Sequence, residues 1–289
     1  MSYLSHLPLA CPIDGLALRL DGASLRCDNN HSFDIAKQGY VNLLPVQFKS
    51  SKQPGDSRAM VQARQRVLDS GLFGGVADVV SDCVMHGLDG QDGNHRLIVD
   101  AGCGDGYYLC HMQRRIDKRA PSSPTKFLCL DISKDAIVAA ARRGKGLDVG
   151  WVVATNKCFP VVHGEVGVIV CGFGFPVWEH WAAIQISGQR VVTFDPCAKH
   201  LIELREHIYP SVEMKSSEPS AQAKSCGYKL GNEQRVQYTV DKVDRTQVMD
   251  VLEMTPHGRR LSEEARQRIQ AVDALALTVD IVVRTYILQ

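Results

Sequence analysis

The sequence has no apolar run long enough to cross a lipid bilayer. Its longest apolar stretch, residues 166–177, is interrupted by glycines, whereas a membrane-spanning helix needs about 20 consecutive apolar residues. The first ten residues, MSYLSHLPLA, place no cationic segment in front of an apolar one, so we expect no secretory signal peptide. These absences predict a protein without a membrane partner.

Neither sign of charge dominates, and the spacing of the cysteines is not that of a disulfide-bonded domain. The 33 lysines and arginines nearly balance the 32 aspartates and glutamates, so a nucleic acid would have to be bound by a local basic patch. The ten cysteines are scattered over 289 residues, unlike the dense spacing of a small disulfide-bonded secreted domain. We therefore expect free thiols and a cytoplasmic location.

The pattern that is present divides into two parts. Residues 1–50 contain short alternating runs and the turn pairs Asp14-Gly15 and Asp21-Gly22, which predict a small β-rich module. Residues 51–289 are predicted to form one α/β domain with a parallel sheet covered on both faces, because apolar runs alternate with helical patterns. The predicted strands are residues 97–101, 126–131, 149–154, 166–171 and 190–195, and the helices between the first three are 107–116 and 133–143.

The end of the chain departs from this alternation. Residues 235–243 and 276–288 read as two long strands on either side of a helical segment, 246–254. Since no crossover helix directly precedes the last strand, we predict that it closes the sheet in the antiparallel direction. The serine-rich residues 215–224 are predicted to be an exposed loop.

The strongest chemical signal is a glycine-rich loop between a predicted strand and a predicted helix. The strand ends near Asp100, and Gly102, Gly104 and Gly106 follow. Glycines are needed where a backbone turns sharply and approaches a ligand closely, and the free N–H groups of the next helix favour an anionic group. The next strand ends at Asp131, the position from which a carboxylate binds ribose hydroxyls.

The spacing of these glycines distinguishes two classes of cofactor. A dinucleotide site requires G-x-G-x-x-G, whereas this loop reads G-x-G-x-G after Asp100. With no diphosphate to hold, the loop suits a shorter cofactor that carries a carboxylate and an amine, and Asp100 would lie near the amine. We therefore predict a class I, Rossmann-like, S-adenosylmethionine-dependent methyltransferase, a class whose sheet characteristically ends in an antiparallel strand. A tight turn without a ligand would not need so many glycines.

The N-terminal module contains a candidate metal site. The spacing Cys11-x2-Asp14-x12-Cys27-x3-His31 is that of a small zinc ribbon in which aspartate occupies one ligand position. Structural zinc sites favour sulfur and nitrogen ligands, and small modules of this kind depend on the ion for their fold. Two interpretations stay open: zinc bound by these four residues, or a metal-free β-hairpin that keeps the cysteine positions.

Several short blocks carry a resemblance to a known family. They are HSFD at 31–34, GYVNLLP at 39–45, PGDS at 54–57, the helix at 62–71, the loop at 100–108, DISK at 131–134 and KHLIEL at 199–204, with a weaker MTP at 254–256. Together they resemble the RlmA-type 23S rRNA guanine-N1 methyltransferases over nearly the whole chain. The GYVNLLP and PGDS blocks are specific to that family rather than to the fold.

The resemblance implies methylation of N1 of a guanine in a hairpin of 23S ribosomal RNA, with residues 1–50 recognising the RNA. By motif matching, Gly104 and Asp105 would contact the cofactor, as would Phe73 after the N-terminal helix and His200 after the fifth strand. Without the resemblance, Phe73 would be ordinary core and His200 would satisfy a backbone group. The predicted cofactor-binding residues are then Phe73, Asp100, Gly102, Gly104, Asp105, Gly106, Asp131, Ile132 and His200.

Three positions depart from the family pattern. Asp14 stands where a second cysteine is expected. After the fourth strand, the family carries an arginine and an aromatic residue followed closely by proline, whereas residues 171–176 read CGFGFP. After the fifth strand, Asp195-Pro196-Cys197 replaces a Thr-Pro-Gly segment. The last two loops border the place of the methyl-accepting base, so these changes would alter the target or weaken catalysis.

The N1 proton of guanine must leave during methylation, which requires a general base. Asp195 is our candidate, at the carboxyl end of a strand; alternatively it caps the following helix. Candidates to stack on the target base, or else to be buried, are Phe173, Phe175 and Trp178. Candidates for phosphate contacts, or else for a solvated face, are Lys37, Lys49, Lys52, Arg58, Arg64 and Arg66.

Two other functions stay open at this point. A small-molecule methyltransferase would have a closed apolar pocket and no basic cleft between its modules. A non-catalytic relative would keep the cofactor loop and bind RNA or protein without transfer, an alternative that the altered loops favour. By analogy with the fold, the helical residues 71–88 are also expected to support a homodimer.

Overall fold

The computed structural model describes residues 3–45, 47, 54–88, 96–119, 125–214, 217–258 and 261–289. It contains an eight-stranded mixed sheet and a separate three-stranded antiparallel sheet near the N-terminus. Within these ranges, no helix combines the length and the apolar character that crossing a membrane requires.

The secondary structure follows the predicted alternation of strands and helices. The strands are β1 (Arg19–Asp21), β2 (Ser24–Arg26), β3 (Ser32–Asp34), β4 (Tyr40–Asn42), β5 (Leu97–Ala101), β6 (Lys126–Asp131), β7 (Gly150–Val153), β8 (Val166–Gly172), β9 (Arg190–Pro196), β10 (Tyr228–Asp244) and β11 (Ala274–Leu288). The helices are α1 (Arg58–Asp69), α2 (Gly74–Leu88), α3 (Tyr107–Arg119), α4 (Lys134–Arg143), α5 (Trp178–Ile184), α6 (Ile202–Ile208), α7 (Ala221–Ser225), α8 (Arg245–Met254) and α9 (Glu263–Gln270). The five strands β5 to β9 agree with the prediction to within one residue at each end.

The large sheet has the order β10-β11-β9-β8-β5-β6-β7-β4. Strands β9, β8, β5, β6, β7 and β4 run parallel, and β11 is antiparallel to both β9 and β10. The predicted antiparallel closing strand is therefore confirmed. Alternate residues of β8 enter two separate apolar clusters, Val168 and Val170 the first and Ile169 and Cys171 the second. Both faces of the sheet are thus covered, as the continuous apolar runs predicted.

The first fifty residues contribute to both sheets. Strands β1 to β3 form the small antiparallel sheet, whereas β4 joins the edge of the large sheet parallel to β7, with Tyr40 opposite Trp151. The connection continues one step further, because the Leu43 N–H donates to the carbonyl of Val153 over 2.9 Å. Val41 is fully buried. The GYVNLLP block thus attaches the N-terminal module to the sheet.

Helix α1 brings a polar face to the glycine loop. Its N-cap is Ser57, whose hydroxyl accepts a hydrogen bond from the Met60 N–H over 3.3 Å. The apolar residues of the helix, among them Val67 and Leu68, are buried, and the helix packs against α8 and α4. Arg64 consequently lies against Gly104 of the loop, with its Nη1 atom 3.3 Å from the position of a Cβ there.

Two local predictions near the end of the chain were wrong. Strand β10 begins at Tyr228 rather than at residue 235, because it pairs with β11 from Tyr228 onwards and accommodates Gly231 in a register shift. In the predicted loop 215–224, residues 215 and 216 lie outside the described residues, but α7 begins at Ala221. Ser220 caps this helix by accepting a hydrogen bond from the Ala223 N–H, a capping role typical of serine.

Candidate active site and metal centre

The glycine loop leaves β5 at the carboxyl edge of the sheet and is held there by β6. The N–H groups of Gly102 and Cys103 both donate to the carbonyl of Leu130, over 2.8 and 2.9 Å. Gly102, Gly104 and Gly106 all have positive φ, at +94°, +55° and +76°. A Cβ at Gly106 would lie 3.1 Å from the side chains of Ala140 and Trp151, whereas a Cβ at Gly102 would meet nothing within 4 Å. Gly106 therefore allows close packing, and Gly102 offers an open backbone to a ligand.

Carboxyl groups crowd around this open loop. Asp100 is 3% exposed, and burial together with the charges of Asp131 and Asp105 raises its pKa to about 8. Burial raises the pKa of Asp131 to about 6, although its carboxylate accepts hydrogen bonds from the N–H groups of Ser133 (2.8 Å) and Gly104 (2.9 Å). A cationic ligand would favour the ionised form of Asp100 beside the other two carboxyl groups. The ammonium and sulfonium groups of S-adenosylmethionine fit that requirement.

The side chain of Asp105 is used within the protein. It is 1% exposed and accepts a hydrogen bond from Arg143 Nε over 3.0 Å. Arg143 also binds Asp69 at the end of α1, over 2.6 Å. Burial raises the pKa of Asp105, while the neighbouring Arg143 lowers it. Since its carboxylate joins the loop to α4 and α1, a cofactor would meet Asp105 through its backbone.

Phe73 and His200 come together beside the loop that follows β8. The Phe73 ring is 2% exposed, and its centroid lies 6.0 Å from that of His200 and 6.2 Å from that of Phe173. His200 Nδ1 accepts a hydrogen bond from the backbone N–H of Asp280 over 3.3 Å. Burial lowers the pKa of His200 to about 4, so its ring is neutral at physiological pH. The structure thus brings together two residues that are 127 positions apart in the sequence.

The three aromatic residues after β8 differ in their exposure. Trp178 is 2% exposed and packs against Trp181, Tyr228 and Tyr286 on the other face of the sheet. Phe173 adopts φ +51° and leaves 43% of its surface exposed, whereas Phe175 is 90% exposed. Of these three predicted stacking residues, Trp178 is therefore core, and Phe175 is the most accessible.

Asp195 lies at the carboxyl end of β9 and leaves the strand on the face opposite to Phe194, because side chains alternate along a strand. Burial raises the pKa of its carboxyl group, and the neighbouring Arg284 lowers it. It does not cap the next helix, since the N-cap position of α6 is Leu201 and no side-chain hydrogen bond caps it. Asp195 thus lies at the carboxyl edge of the sheet, where it stays our candidate general base.

The four candidate metal ligands form one compact cluster. Their ligand atoms all lie within 4.8 Å of one another. His31 Nδ1 is 3.5 Å from Cys11 Sγ, 3.4 Å from Cys27 Sγ and 3.0 Å from Asp14 Oδ2, and Cys27 Sγ is 3.4 Å from the same oxygen. A tetrahedral zinc site with ordinary bond lengths has ligand–ligand distances of about 3.3–3.8 Å. The cluster therefore fits zinc, with Asp14 supplying the oxygen.

Tight turns hold both halves of this cluster. The Gly15 N–H donates to the Cys11 carbonyl over 2.9 Å, and Gly15 has φ +76°. In the second half, the Asn30 N–H donates to the Cys27 carbonyl over 2.9 Å. Asp14 is further oriented by Asn29, whose Nδ2 donates to it over 3.0 Å. Such preorganisation lets a short chain present four ligands without a large core of its own.

Comparisons with known proteins match both parts of the chain. A family model described as the RlmA N-terminal zinc ribbon matches residues 9–52, and a methyltransferase domain model matches residues 98–187. A 23S rRNA (guanine(748)-N(1))-methyltransferase of Streptomyces fradiae is 34% identical over 134 residues, which are 46% of this chain and 44% of that protein. The chain thus spans less than half the length of this relative.

A second relative decides the family. A protein of Micromonospora griseorubida, named provisionally as a 23S rRNA (guanine-N1)-methyltransferase, is 30% identical over 215 residues, or 69% of each chain. The chain belongs to the 23S rRNA (guanine-N1)-methyltransferase family. The YxjB protein of Bacillus subtilis, which bears the same provisional name, is 24% identical over 276 residues and 94% of each chain. The family likeness therefore extends over nearly the whole sequence.

The comparison with solved structures gives matches at low sequence identity. The YcgJ protein of Bacillus subtilis is 14% identical and covers 73% of this chain and 99% of its own, with a TM-score of 0.47. A geranyl diphosphate methyltransferase in complex with SAM is 16% identical and covers 82% and 92%, with a TM-score of 0.45.

The PGDS block, residues 54–57, packs on the loop after β6. A Cβ at Gly55, which has φ +83°, would lie 2.9 Å from the Cβ of Ser133 and 3.0 Å from Ile132. Ser133 also donates its hydroxyl hydrogen to the Asp56 carbonyl over 2.8 Å. The block therefore supports the Asp131–Ser133 segment, and Ile132 lies beneath it.

Two residues of the site, Asp280 and Arg235, were not predicted from the sequence. Asp280 is fully buried beside His200, and Arg235 binds both of its oxygens, over 2.7 and 2.9 Å. This pairing holds the pKa of Asp280 below its ordinary value. An aspartate within the otherwise apolar run of β11 could have been recognised as a buried charge that needs a partner. Its partner Arg235, 45 residues away, could not have been recognised from the sequence.

Proposed function

We propose that this protein transfers the methyl group of S-adenosylmethionine to N1 of a guanine in a hairpin of 23S ribosomal RNA. The proposal is supported by the open glycine loop between Asp100 and Asp131 in a chain that belongs to this family. An rRNA substrate also implies a cytoplasmic location. The proposed RNA-recognition module is residues 1–50, and the proposed methyltransferase domain is residues 51–289.

The proposed cofactor site follows the carboxyl edge of the sheet. Asp131 would accept hydrogen bonds from the ribose hydroxyls, and Ile132 would pack beside the adenosine. Asp100 would pair with the amine of the methionyl tail, against the open backbone of Gly102. The remaining proposed contacts come from the loop backbone and the aromatic cluster, and they are Gly104, Asp105, Gly106, Phe73 and His200.

The proposed reaction is an in-line displacement at a methyl carbon. The bound cofactor supplies an electrophilic methyl group on a sulfonium. The guanine N1 lone pair forms the new N–C bond, the C–S bond breaks, and S-adenosylhomocysteine leaves. Asp195 would take the N1 proton, so that the products are neutral N1-methylguanine and a protonated carboxyl group. Orientation of N1 against the methyl group would supply much of the acceleration.

Phe175 is the proposed contact to the target base. A guanine in a hairpin must be unstacked before its N1 edge can be reached, and exposed aromatic rings stabilise unstacked bases. Phe175 follows β8 at the carboxyl edge of the sheet and is 90% exposed. Burial of this ring against RNA would explain why so large an apolar side chain is left in water.

Phe175→Ala is expected to weaken the binding of the hairpin RNA about tenfold, because stacking on an aromatic ring contributes roughly 1–3 kcal/mol per base. Phe175→Trp should retain binding, since the larger ring still stacks. Fluorescence anisotropy with a labelled hairpin measures both effects. Met214→Ala is the matched control, because Met214 is also an exposed apolar residue, at 53%. Unchanged affinity of the alanine variant would remove Phe175 from the interface.

We further propose that Cys11, Asp14, Cys27 and His31 bind one zinc ion that stabilises the N-terminal module. The cluster geometry supports this proposal, and the aspartate makes it testable. Zinc favours thiolate over carboxylate in structural sites, so the chain as it stands should bind zinc less tightly than a variant with a second cysteine at this turn.

Asp14→Ala is expected to lower zinc affinity by about 100-fold, because one of four ligands is lost. Asp14→Cys should bind zinc more tightly than the natural chain, because thiolate replaces carboxylate. Metal analysis gives the stoichiometry, and competition with a chromophoric chelator gives the affinities. Asp21→Ala is the control, since Asp21 pairs with Arg26 on the surface of the same module. A natural chain that holds no zinc, and whose thermal unfolding is unaffected by chelators, would support the metal-free alternative.

One transfer experiment separates the proposed function from its alternatives. The protein is incubated with methyl-labelled S-adenosylmethionine and unmodified 23S rRNA, with 16S rRNA as the control substrate. Label in the 23S rRNA alone supports the proposal. RNA binding without transfer would favour the non-catalytic relative. Neither transfer nor RNA binding, in a protein that binds the cofactor, would favour a small-molecule methyltransferase.

We also propose a homodimer. Helix α2 places Val76, Val80 and Val84 in the core of its own protomer. Val79 and Met85 are half-buried and also pack against that core, so the proposed contact is small. Light scattering tests it directly: the chain has a mass of 31.8 kDa, and a dimer doubles this value.

A further inference from the structure

The hydroxyl group of Tyr108 is buried beside the glycine loop without a partner. Tyr108 lies in the first turn of α3, and its ring packs on Phe194 with centroids 4.8 Å apart. Among the described residues, its oxygen is one of three buried side-chain atoms for which the structure shows no hydrogen bond. Leaving such a group unsatisfied costs roughly 1–3 kcal/mol. A ligand that accepts its hydrogen would remove this cost.

A cation lies on the same loop. Arg64 Nη1 is 3.3 Å from the position of a Cβ at Gly104, so the guanidinium group covers the loop backbone. It is held there by Asp56, whose Oδ2 is 2.6 Å away, and by the carbonyl of Met254, 3.3 Å from Nη2. These two contacts occupy only part of the five N–H donors of an arginine. The group is therefore fixed in position and still able to bind an anion.

The chemistry of these two donors is complementary to that of Asp100. In the methionyl tail of the cofactor, the amine and the carboxylate are attached to the same carbon. An amine near Asp100 therefore brings the carboxylate to the glycine loop, where it needs donors rather than acceptors. A planar guanidinium group and a phenolic hydroxyl are both strong donors to a carboxylate. The adenosine part of the cofactor carries no anionic group that would use them.

We propose that Arg64 and Tyr108 form a clamp for the carboxylate of the cofactor's methionyl tail. This proposal rests on the proposed function, because it deepens the cofactor site. It gives Arg64 a role different from a phosphate contact with RNA. It also links cofactor binding to α1, which the same arginine ties to the PGDS block and to the end of α8.

The test compares two ligands that differ in this tail. S-adenosylhomocysteine carries the amino-acid tail, and 5′-methylthioadenosine lacks it. By calorimetry, Tyr108→Phe and Arg64→Gln should each lower the affinity for S-adenosylhomocysteine about tenfold, as expected for a hydrogen bond to a charged group. Their affinity for 5′-methylthioadenosine should stay within about twofold of the natural protein. Tyr108→Phe keeps the ring that packs on Phe194, so its fold is preserved.

Arg66→Gln is the control on the same helix, because Arg66 binds Asp250 instead of facing the loop. Tyr209→Phe is the control for loss of a hydroxyl, because Tyr209 bonds His257. Equal losses for both ligands would show that the two residues only support the loop, and no loss would show that they do not contact the tail. Either result overturns the clamp. If the natural protein binds neither ligand, the proposed function fails as well, and the failure is recognised without any variant.

Discussion

Asp100→Asn is expected to weaken S-adenosylmethionine binding on the order of 100-fold at pH 7.5 while leaving the fold intact. The loss follows because a hydrogen bond between charged groups in a buried site contributes roughly 1.5–3 kcal/mol. The fold should persist because the pKa of Asp100 is raised to about 8, so the free protein already holds this side chain largely as the neutral acid. Asparagine has nearly the same shape and no charge. Calorimetry and thermal unfolding measure the two effects.

The same residue predicts a pH dependence of binding. An ammonium group beside Asp100 favours its carboxylate, so the pKa of Asp100 is lower in the complex than in the free protein. Binding then releases a proton, and affinity rises with pH below about 8, by at most tenfold per pH unit. Between pH 6 and 7.5 the cofactor's own α-amine stays largely protonated, since such groups titrate near about 8. Titrations in buffers of different ionisation enthalpy report the released proton.

Asparagine has no proton to release on binding, so the pH dependence that Asp100 gives to cofactor affinity should be lost in Asp100→Asn. Asp135→Asn serves as the control, because Asp135 is exposed in the first turn of α4. A variant that binds the cofactor as tightly as the natural protein, with the same pH dependence, would show that Asp100 does not face the amine.

Asp195→Asn is expected to reduce the single-turnover rate of methyl transfer by about 100- to 1,000-fold, within the range of general base catalysis. Burial raises the pKa of this carboxyl group, which makes its anion a better proton acceptor. The affinity for S-adenosylhomocysteine should stay within about twofold, because Asp195 is not in the proposed cofactor site. In the natural protein, the transfer rate should fall as pH drops below the pKa of this group. Rapid-quench kinetics over a pH series measures both.

Asp241→Asn is the matched control for this substitution, since Asp241 is an exposed aspartate of β10. A rate within threefold of the natural protein, with the acidic limb of the pH profile unchanged, would assign Asp195 a structural role. The result bears directly on the segment Asp195-Pro196-Cys197. A reduced rate, with cofactor affinity retained, would show that a carboxylate of this segment takes part in transfer.

The parts of the fold that could be predicted are those in which one physical cause acts locally. Strands β5 to β9 are buried on both faces, so each one is a short apolar run with clear ends. Strand β10 is different: most of its residues are exposed, and its length is fixed by pairing with β11. The alternation that predicted residues 235–243 is absent from residues 231–234, which read GNEQ, so the local signal ends before the pairing does.

The candidate site also has a part that could be predicted from local sequence and a part that depends on tertiary contacts. The glycines, Asp100 and Asp131 lie within one strand–helix–strand unit, so their spacing alone predicted a cofactor loop. The position of Arg64 depends on how α1 packs, and that of Asp280 on the pairing of β11. The hydroxyl of Tyr108 becomes informative only when its burial is known. Tertiary contacts of this kind leave no pattern in a single sequence.

The identity of the methylated nucleoside tests the central claim most directly. Unmodified 23S rRNA is incubated with the protein and S-adenosylmethionine, digested to nucleosides and examined by mass spectrometry, while reverse transcription locates the modified position. We predict 1-methylguanosine and one strong stop in a hairpin, because a methyl group on N1 blocks base pairing. A methyl group on another atom or another base, or no methylated nucleoside in the presence of bound cofactor, would contradict the account.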